Sequence, residues 1–268
     1  MQAQQIFDRL WTGYTEQNPE VLSISNLFVR EGEIVVNDHI AFRTFNDPRI
    51  NIDVLSKPFF AAGYVYKDSY KFEDKHLFAR HYEHPDMPDA PRVFISELIM
   101  EDFSFELQSS INCLIDKISP ALWNSNELLF SGNTWGTPSY ERYQKLRAES
   151  EYAAWVYVYG FRANHFTVSI NRLKKHDTIE KVNHLLKENG FLMNDAGGEI
   201  KGSPAELLEQ SSTRAGILPV TFQEGVFEIP SCYYEFVRRY PDDSGKLYSG
   251  FIAKSADKIF ESTDFYKK

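Results

Sequence analysis

Two short segments each set a histidine inside an alternating run: Asp38-His39-Ile40-Ala41-Phe42-Arg43-Thr44 and Arg162-Ala163-Asn164-His165-Phe166-Thr167. Successive side chains of a strand point to opposite faces, so His39, Ala41 and Arg43 share one face and Ile40, Phe42 and Thr44 the other. By the same rule His165, Thr167 and Ser169 lie opposite Phe166, Val168 and Ile170. A third segment, Ile229-Pro230-Ser231-Cys232-Tyr233-Tyr234-Glu235-Phe236, puts Glu235 on a strand face with Tyr233. Two imidazoles and one carboxylate on adjacent strands form a facial triad. That set leaves three coordination positions open, suits Fe(II), and can hold a bidentate ligand and dioxygen together; Zn, Mn or Ni can occupy it too, because ligand types alone do not select the metal. His39, His165 and Glu235 are therefore the candidate metal ligands. Glu97, in Ser96-Glu97-Leu98, matches Tyr234-Glu235-Phe236 and is the fourth candidate, as ligand, base or structural carboxylate. Arg43 is the candidate grip for a substrate carboxylate, since a guanidinium fork binds a carboxylate bidentately.

The elements that must carry these residues follow from periodicity. Residues 1–34 read as two helices, through Ile6, Leu10, Trp11 and Tyr14 and then Val21, Ile24, Leu27 and Phe28. The strand at His39 precedes a helix from about Ile52 to Ala62, a Gly63 stop, and strands near Tyr64 to Phe72, Leu77 to Tyr82 and Val93 to Leu98. Residues 103–160 read as a mainly helical insertion. The strand at His165 then precedes a helix from Thr178 to Asn189, a Gly190 stop, and strands near Phe191, Ile217 to Phe222, Val226 to Ile229 and Tyr233 to Val237. The order β, α, β, β, β thus occurs twice, in residues 35–102 and 161–240. Asp38-His39-Ile40 matches Asn164-His165-Phe166, and Ala62-Gly63-Tyr64 matches Asn189-Gly190-Phe191. The expectation is an α+β fold: two pseudo-repeated βαβββ units forming a curved mixed sheet around one metal site, with added helices, in one catalytic domain closed by a C-terminal segment, 241–268.

Other residues carry weaker expectations. Ser212 and Thr213, in the run Gln210-Ser211-Ser212-Thr213-Arg214, are candidates for hydrogen-bonding substrate, and Tyr233 for lining the pocket. Pro204 and the residues after it read as helical. His76, His81 and His84 read as solvated, His176 and His184 as exposed, and Gly197-Gly198 as a turn. Cys113 and Cys232 read as small buried residues of a reduced setting.

With 268 residues, 43% hydrophobic, and 29 basic against 38 acidic side chains, the chain is neither disordered nor a disulfide scaffold. A net charge of −9 without a basic stripe excludes a nucleic-acid partner. The longest apolar stretch, Ala153 to Phe161, is far short of a membrane span, which needs roughly 20 residues. No charged-then-apolar leader opens the sequence, so a cytoplasmic location is expected. Two other functions share this fold: a glyoxalase-type isomerase or metal-dependent hydrolase, and a non-catalytic small-molecule binding protein.

The three quoted segments together resemble the signature segments of the family once catalogued as the domain of unknown function DUF1338, across about residues 35–240. Its characterised members are Fe(II)-dependent 2-oxoadipate dioxygenase/decarboxylases related to the vicinal oxygen chelate superfamily. The resemblance implies that His39, His165 and Glu235 hold the metal while Arg43 grips the far carboxylate of a 2-oxo acid. The partners it implies are that small 2-oxo (di)carboxylic acid and O2, the products CO2 and a 2-hydroxy acid. Characterised members are longer than this chain, which leaves the choice of 2-oxo acid open.

Overall fold

Alternation at His39 and His165 builds the two strands at the middle of an eight-stranded mixed sheet. The computed structural model describes residues 1–252; residues 253–268, the end of the expected C-terminal segment, lie outside the described residues. Helices α1 (Ala3–Gln17) and α2 (Pro19–Arg30) precede β1 (Asn37–Phe45), and α3 (Ile52–Leu55) and α4 (Lys57–Ala61) lead to β2 (Val65–Phe72), β3 (Leu77–Glu83) and β4 (Arg92–Leu98). The insertion holds α5 (Phe105–Ile115), α6 (Pro120–Trp123), α7 (Tyr140–Glu149) and α8 (Glu151–Tyr159). Then come β5 (Ala163–Ser169), α9 (Ile179–Glu188), β6 (Lys201–Ser203), β7 (Leu208–Ser212), the hairpin β8 (Ile217–Phe222) and β9 (Gly225–Pro230), and β10 (Glu235–Arg239).

The sheet runs β2-β3-β4-β1-β5-β10-β7-β6 and curls into a half-barrel. Its two halves have matching connectivity about the antiparallel β1–β5 pair: β4 lies parallel to β1 as β10 lies parallel to β5. The register gives two rows of same-face residues. One is His39–Thr167–Glu235–Ser212 and the other His165–Ala41–Phe94–His81.

The outer face carries the apolar set and is covered by helices. Trp11 and Tyr14 each pack on Phe166 with ring centroids 5.0 Å apart, Phe59 packs on Phe42 at 5.6 Å, and Phe28 on Phe236 at 6.0 Å. Deleting a ring such as Phe166 leaves a cavity and costs about 3–5 kcal/mol. The inner face is covered differently, by α8. This helix is apolar on every side and all its residues from Tyr152 to Tyr159 are buried, the pattern of a helix enclosed by other elements. Its end is fixed by Gly160, at φ +66°, where an added Cβ would lie 2.0 Å from the Gly132 carbonyl oxygen.

Four expectations about elements need correction. The single helix over Ile52 to Ala62 is two short ones, because Pro58 has no N–H with which to continue the first. No strand forms at Phe191. Pro204–Glu206 is one 3-10 turn, and Gln210–Ser212 belong to β7, so a polar strand supplies part of the inner face there. The β8–β9 hairpin stands outside the main sheet. Cys113 is exposed and Cys232 buried.

Glu33, just beyond α2, ties the helical layer to the loop after β5. Its carboxylate accepts from the backbone N–H groups of Lys174 and Lys175, both at 2.7 Å, and His176 at 3.1 Å. Burial pushes its carboxyl up, but these donors pull it down to about 2. The stability it contributes is therefore present above the ordinary carboxylate range and is lost as pH falls from about 4.5 to about 2. Glu33→Gln is expected to lower Tm at neutral pH, with the difference from wild type closing towards pH 2 in thermal melts. His176 is half-buried against Glu33 rather than exposed, while His184 is exposed.

Candidate metal centre

β1, β5 and β10 are adjacent, and each contributes one group to the inner face. His39 Nε2 lies 3.8 Å from one oxygen of Glu235, and His165 Nε2 lies 3.1 Å from the other. The donor atoms of the three residues all fall within 4.8 Å of one another, and the residues are 2%, 4% and 1% exposed. The sequence placed these three on one face, and the structure brings them together as a His-His-Glu group that could hold a metal.

Two bulges set the imidazoles. Asp38 is the extra residue on β1, between the Asn37–Val168 and His39–Thr167 pairs. Asn164 is the extra residue on β5, between the Ala41–His165 and Phe42–Ala163 pairs. A bulge re-aims the side chains beside it, so each histidine has its chain neighbour within reach. Asp38 Oδ1 lies 2.9 Å from His39 Nδ1, and Asn164 Oδ1 lies 3.0 Å from His165 Nδ1. When Nδ1 donates to these oxygens, the proton is fixed there and Nε2 keeps its lone pair for the centre. The donor set, two imidazole nitrogens and one carboxylate with outward nitrogens already engaged, fits a divalent first-row metal. Thr167, between the ligand strands, places Oγ1 3.0 Å from His39 Nε2.

Charges around the centre are graded. Burial pushes the Asp38 carboxyl up, but the Arg239 guanidinium and the His39 hydrogen bond hold it well below the usual range. Burial likewise acts upward on Glu235, and His165, His39 and Gln210 reverse it, so the carboxyl sits below its ordinary value. Gln210 donates to Glu235 Oε1 at 2.6 Å. His165 is pushed down by burial and stays neutral near pH 7.

Arg43 lies further along β1 on the same face and is 3% exposed. Its guanidinium carbon sits 5.1 Å from the Tyr152 ring and 5.2 Å from the Trp155 ring. Both rings are fixed by their polar ends: Tyr152 donates to the Ser96 carbonyl at 2.7 Å and Trp155 to the Ser231 carbonyl at 2.8 Å. The aromatic pair holds the cation towards the centre, where it helps keep His165 neutral.

The remaining candidates divide. Tyr233 is fully buried and stacks on His165, with centroids 4.7 Å apart, and burial beside Glu235 keeps its hydroxyl protonated. Ser212 is buried opposite Glu235 on the inner face. Thr213 is turned away: its hydroxyl accepts from the Tyr234 N–H at 3.0 Å, a structural use. Glu97 needs a fuller correction. It pairs with Thr44, on the outer face, and accepts from the Ile52 N–H at 3.0 Å. The counterpart of Glu235 is Phe94, three residues earlier, and a slip by an odd number exchanges the faces. Glu97 therefore cannot serve this centre as ligand or base. Glu97→Gln is expected to keep wild-type metal content and kcat, with a stability loss of about 1 kcal/mol from its weakened link to α3; metal analysis and steady-state rates on one preparation check it.

Several site residues were not singled out from sequence: Asp38, Asn164, Gln210, Arg239 and Phe251. His81, expected to be solvated, is 2% exposed on the inner face, 2.9 Å through Nδ1 from the Tyr70 hydroxyl. His76 is exposed and paired with Asp102 at 3.0 Å, and His84 packs on Tyr64. No helix among the described residues is long and apolar enough to cross a membrane.

Comparison with known proteins agrees with this geometry. The sequence model of the family described as 2-oxoadipate dioxygenase/decarboxylase matches residues 7–121 and 127–242. The 2-oxoadipate dioxygenase/decarboxylase of Oryza sativa subsp. japonica is 37% identical over 275 residues, covering 93% of this chain and 75% of the rice protein. A crystal structure of a Shewanella frigidimarina NCIMB 400 protein is 51% identical with a TM-score of 0.89, covering 94% of this chain and 98% of that one. The crystal structure of the Oryza sativa hydroxyglutarate synthase in complex with 2-oxoadipate is 34% identical with a TM-score of 0.90, covering 97% of this chain and 91% of that one. Matched over both halves of its sheet and carrying a buried His-His-Glu group between them, the chain belongs to the 2-oxoadipate dioxygenase/decarboxylase family.

Proposed function

We propose that this chain is an Fe(II)-dependent enzyme that converts 2-oxoadipate and O2 into 2-hydroxyglutarate and CO2. The observation that carries the reading is Arg43 on the same inner face as the buried His39–His165–Glu235 group, in a chain that superposes on a relative solved with 2-oxoadipate. The reaction balances with O2 alone and needs no second oxo acid, because both atoms of O2 are accounted for in the two products.

His39, His165 and Glu235 hold the metal, and Fe(II), when bound, supplies the oxygen chemistry. The chain supplies position and charge. Asp38 and Asn164 keep the Nδ1 protons in place, so both imidazoles present Nε2 inward. Arg43 fixes the distal carboxylate and so aligns the 2-oxo acid end with the centre, a placement effect on rate as well as affinity. Tyr233 packs on His165 and Tyr152 and Trp155 on Arg43, and these buried rings lower the local polarity, which strengthens the Arg43–carboxylate attraction. We further read the two halves of the sheet as diverged copies of one βαβββ unit in a single catalytic domain: one copy retained Glu235 where the other carries Phe94.

The test is anaerobic loading with Fe(II) followed by an oxygen-electrode screen of 2-oxo acids without added 2-oxoglutarate. Uptake strongest with 2-oxoadipate supports the reading. Folded, loaded protein that consumes no oxygen with any 2-oxo acid removes it.

A further inference from the structure

The chain beyond β10 returns across the inner face, and residues 248–251 lie against the His39 side of the metal centre. One arginine holds them there. Arg239, 3% exposed, donates through Nε and Nη2 to the two oxygens of Asp38 at 2.7 and 2.8 Å, and through Nη1 to the carbonyls of Tyr248 and Gly250 at 3.0 and 2.8 Å. Asp38 is the carboxylate beside His39 Nδ1. A single guanidinium thus joins the orienting partner of a candidate ligand to the backbone of the crossing segment.

The segment ends in a ring aimed at the same histidine. Phe251 stands edge-on to His39 with centroids 4.8 Å apart and planes at 90°, and packs on Phe94 at 4.9 Å and His81 at 5.3 Å. Its N–H donates at 3.2 Å to the Tyr70 hydroxyl, which also contacts His81. Phe94 occupies the row position that Glu235 holds in the other half, so Phe251 and Phe94 make an apolar wall where a second carboxylate would stand.

We propose that Arg239 and Phe251 are positioning residues for His39: docking of residues 248–251 fixes the imidazole and shields it from water, and so strengthens the hold on the metal. The proposal rests on the metal reading above. Partners that orient a ligand typically contribute about 10- to 100-fold in metal affinity or activity. Coupling of two equilibria is reciprocal, so if docking tightens the metal, the metal must tighten docking by the same factor.

Full-length wild type, Phe251→Ala, Phe251→Leu and Arg239→Gln would be loaded anaerobically with Fe(II) and mixed with a colorimetric Fe(II) chelator. Phe251→Ala is expected to release iron about 10- to 100-fold faster, Phe251→Leu to recover most of the loss by restoring apolar bulk, and Arg239→Gln to follow Phe251→Ala. Amide exchange in wild type should slow at residues 248–251 when Fe(II) binds. Arg239→Gln leaves the buried Asp38 carboxylate with Arg92, at 3.3 Å, as its remaining guanidinium partner; should the variant fail to fold, the two Phe251 variants and the exchange measurement decide. Wild type that retains Fe(II), with Phe251→Ala releasing it at the same rate and exchange at 248–251 indifferent to metal, overturns this proposal alone. Wild type that takes up no Fe(II) overturns the metal reading with it.

Discussion

His165→Ala is expected to yield a folded protein that retains no stoichiometric metal and has no measurable turnover. The substitution removes one of three donors and leaves His39 and Glu235 with Nε2 and a carboxylate oxygen 3.8 Å apart. It also removes the ring on which Tyr233 stacks and the group that, with burial opposing, does most to keep Glu235 ionised. A direct ligand should cost more than the roughly 10- to 100-fold that outer partners cost. His76→Ala is the matched control, since His76 is exposed, paired with Asp102 and packed on Phe103 away from the three ligands. Plasma-emission analysis of the two variants should show metal in the control and none in His165→Ala; equal content in both would take His165 out of the ligand set.

Arg43→Ala is expected to separate metal binding from substrate selection. The guanidinium is buried between Tyr152 and Trp155, so its pairing with a carboxylate would be largely shielded from water. Truncating one partner of a buried hydrogen-bonded charge pair costs about 2–5 kcal/mol, which at 1.4 kcal/mol per decade is roughly 30- to 4,000-fold in kcat/KM. That loss should appear with 2-oxoadipate and not with 2-oxohexanoate, which lacks the distal carboxylate, and metal content should stay at the wild-type level. Steady-state rates with both acids check it. An equal loss on both would assign Arg43 a structural role, and no loss on either would clear it of substrate duty.

Strand alternation alone put His39 on one face of its strand with Arg43, and His165 on one face of its own with Thr167 and Ser169, because the apolar partners Ile40, Phe42, Phe166 and Val168 are unambiguous. It could not supply register between strands. Matching Glu97 to Glu235 by their neighbours slipped the copies by three residues, and the odd slip exchanged the faces. The correct counterpart, Phe94, bears no chemical likeness to Glu235, so no comparison of letters would have found it.

Bulges are a second reason. Strict alternation sends Asp38 and Asn164 away from the histidines they precede, whereas an extra residue on each strand brings them back. The signal present was the repeated pairing of an acid or amide with the following histidine. β7 escaped notice because Leu208–Ser212 is polar on both faces: Gln210 serves Glu235, and Ser211 donates to Asn183 of α9 at 2.7 Å. Buried polar strands carry no hydrophobic period. Phe251 follows Tyr248 in a short stretch with no strand or helix period, and nothing nearby in sequence marks it as a neighbour of His39.

In the proposed reaction one molecule serves as both the oxidised acid and the source of CO2. Its most direct test is the stoichiometry of a single reaction: anaerobically Fe(II)-loaded protein, 2-oxoadipate labelled at carbon 1, and a measured quantity of O2, with no 2-oxoglutarate added. Oxygen consumed, labelled CO2 released and 2-hydroxyglutarate formed are expected to rise together in equal amounts, with no labelled CO2 appearing without oxygen. Labelled CO2 formed without oxygen uptake, or no turnover by a folded, loaded chain, would contradict it.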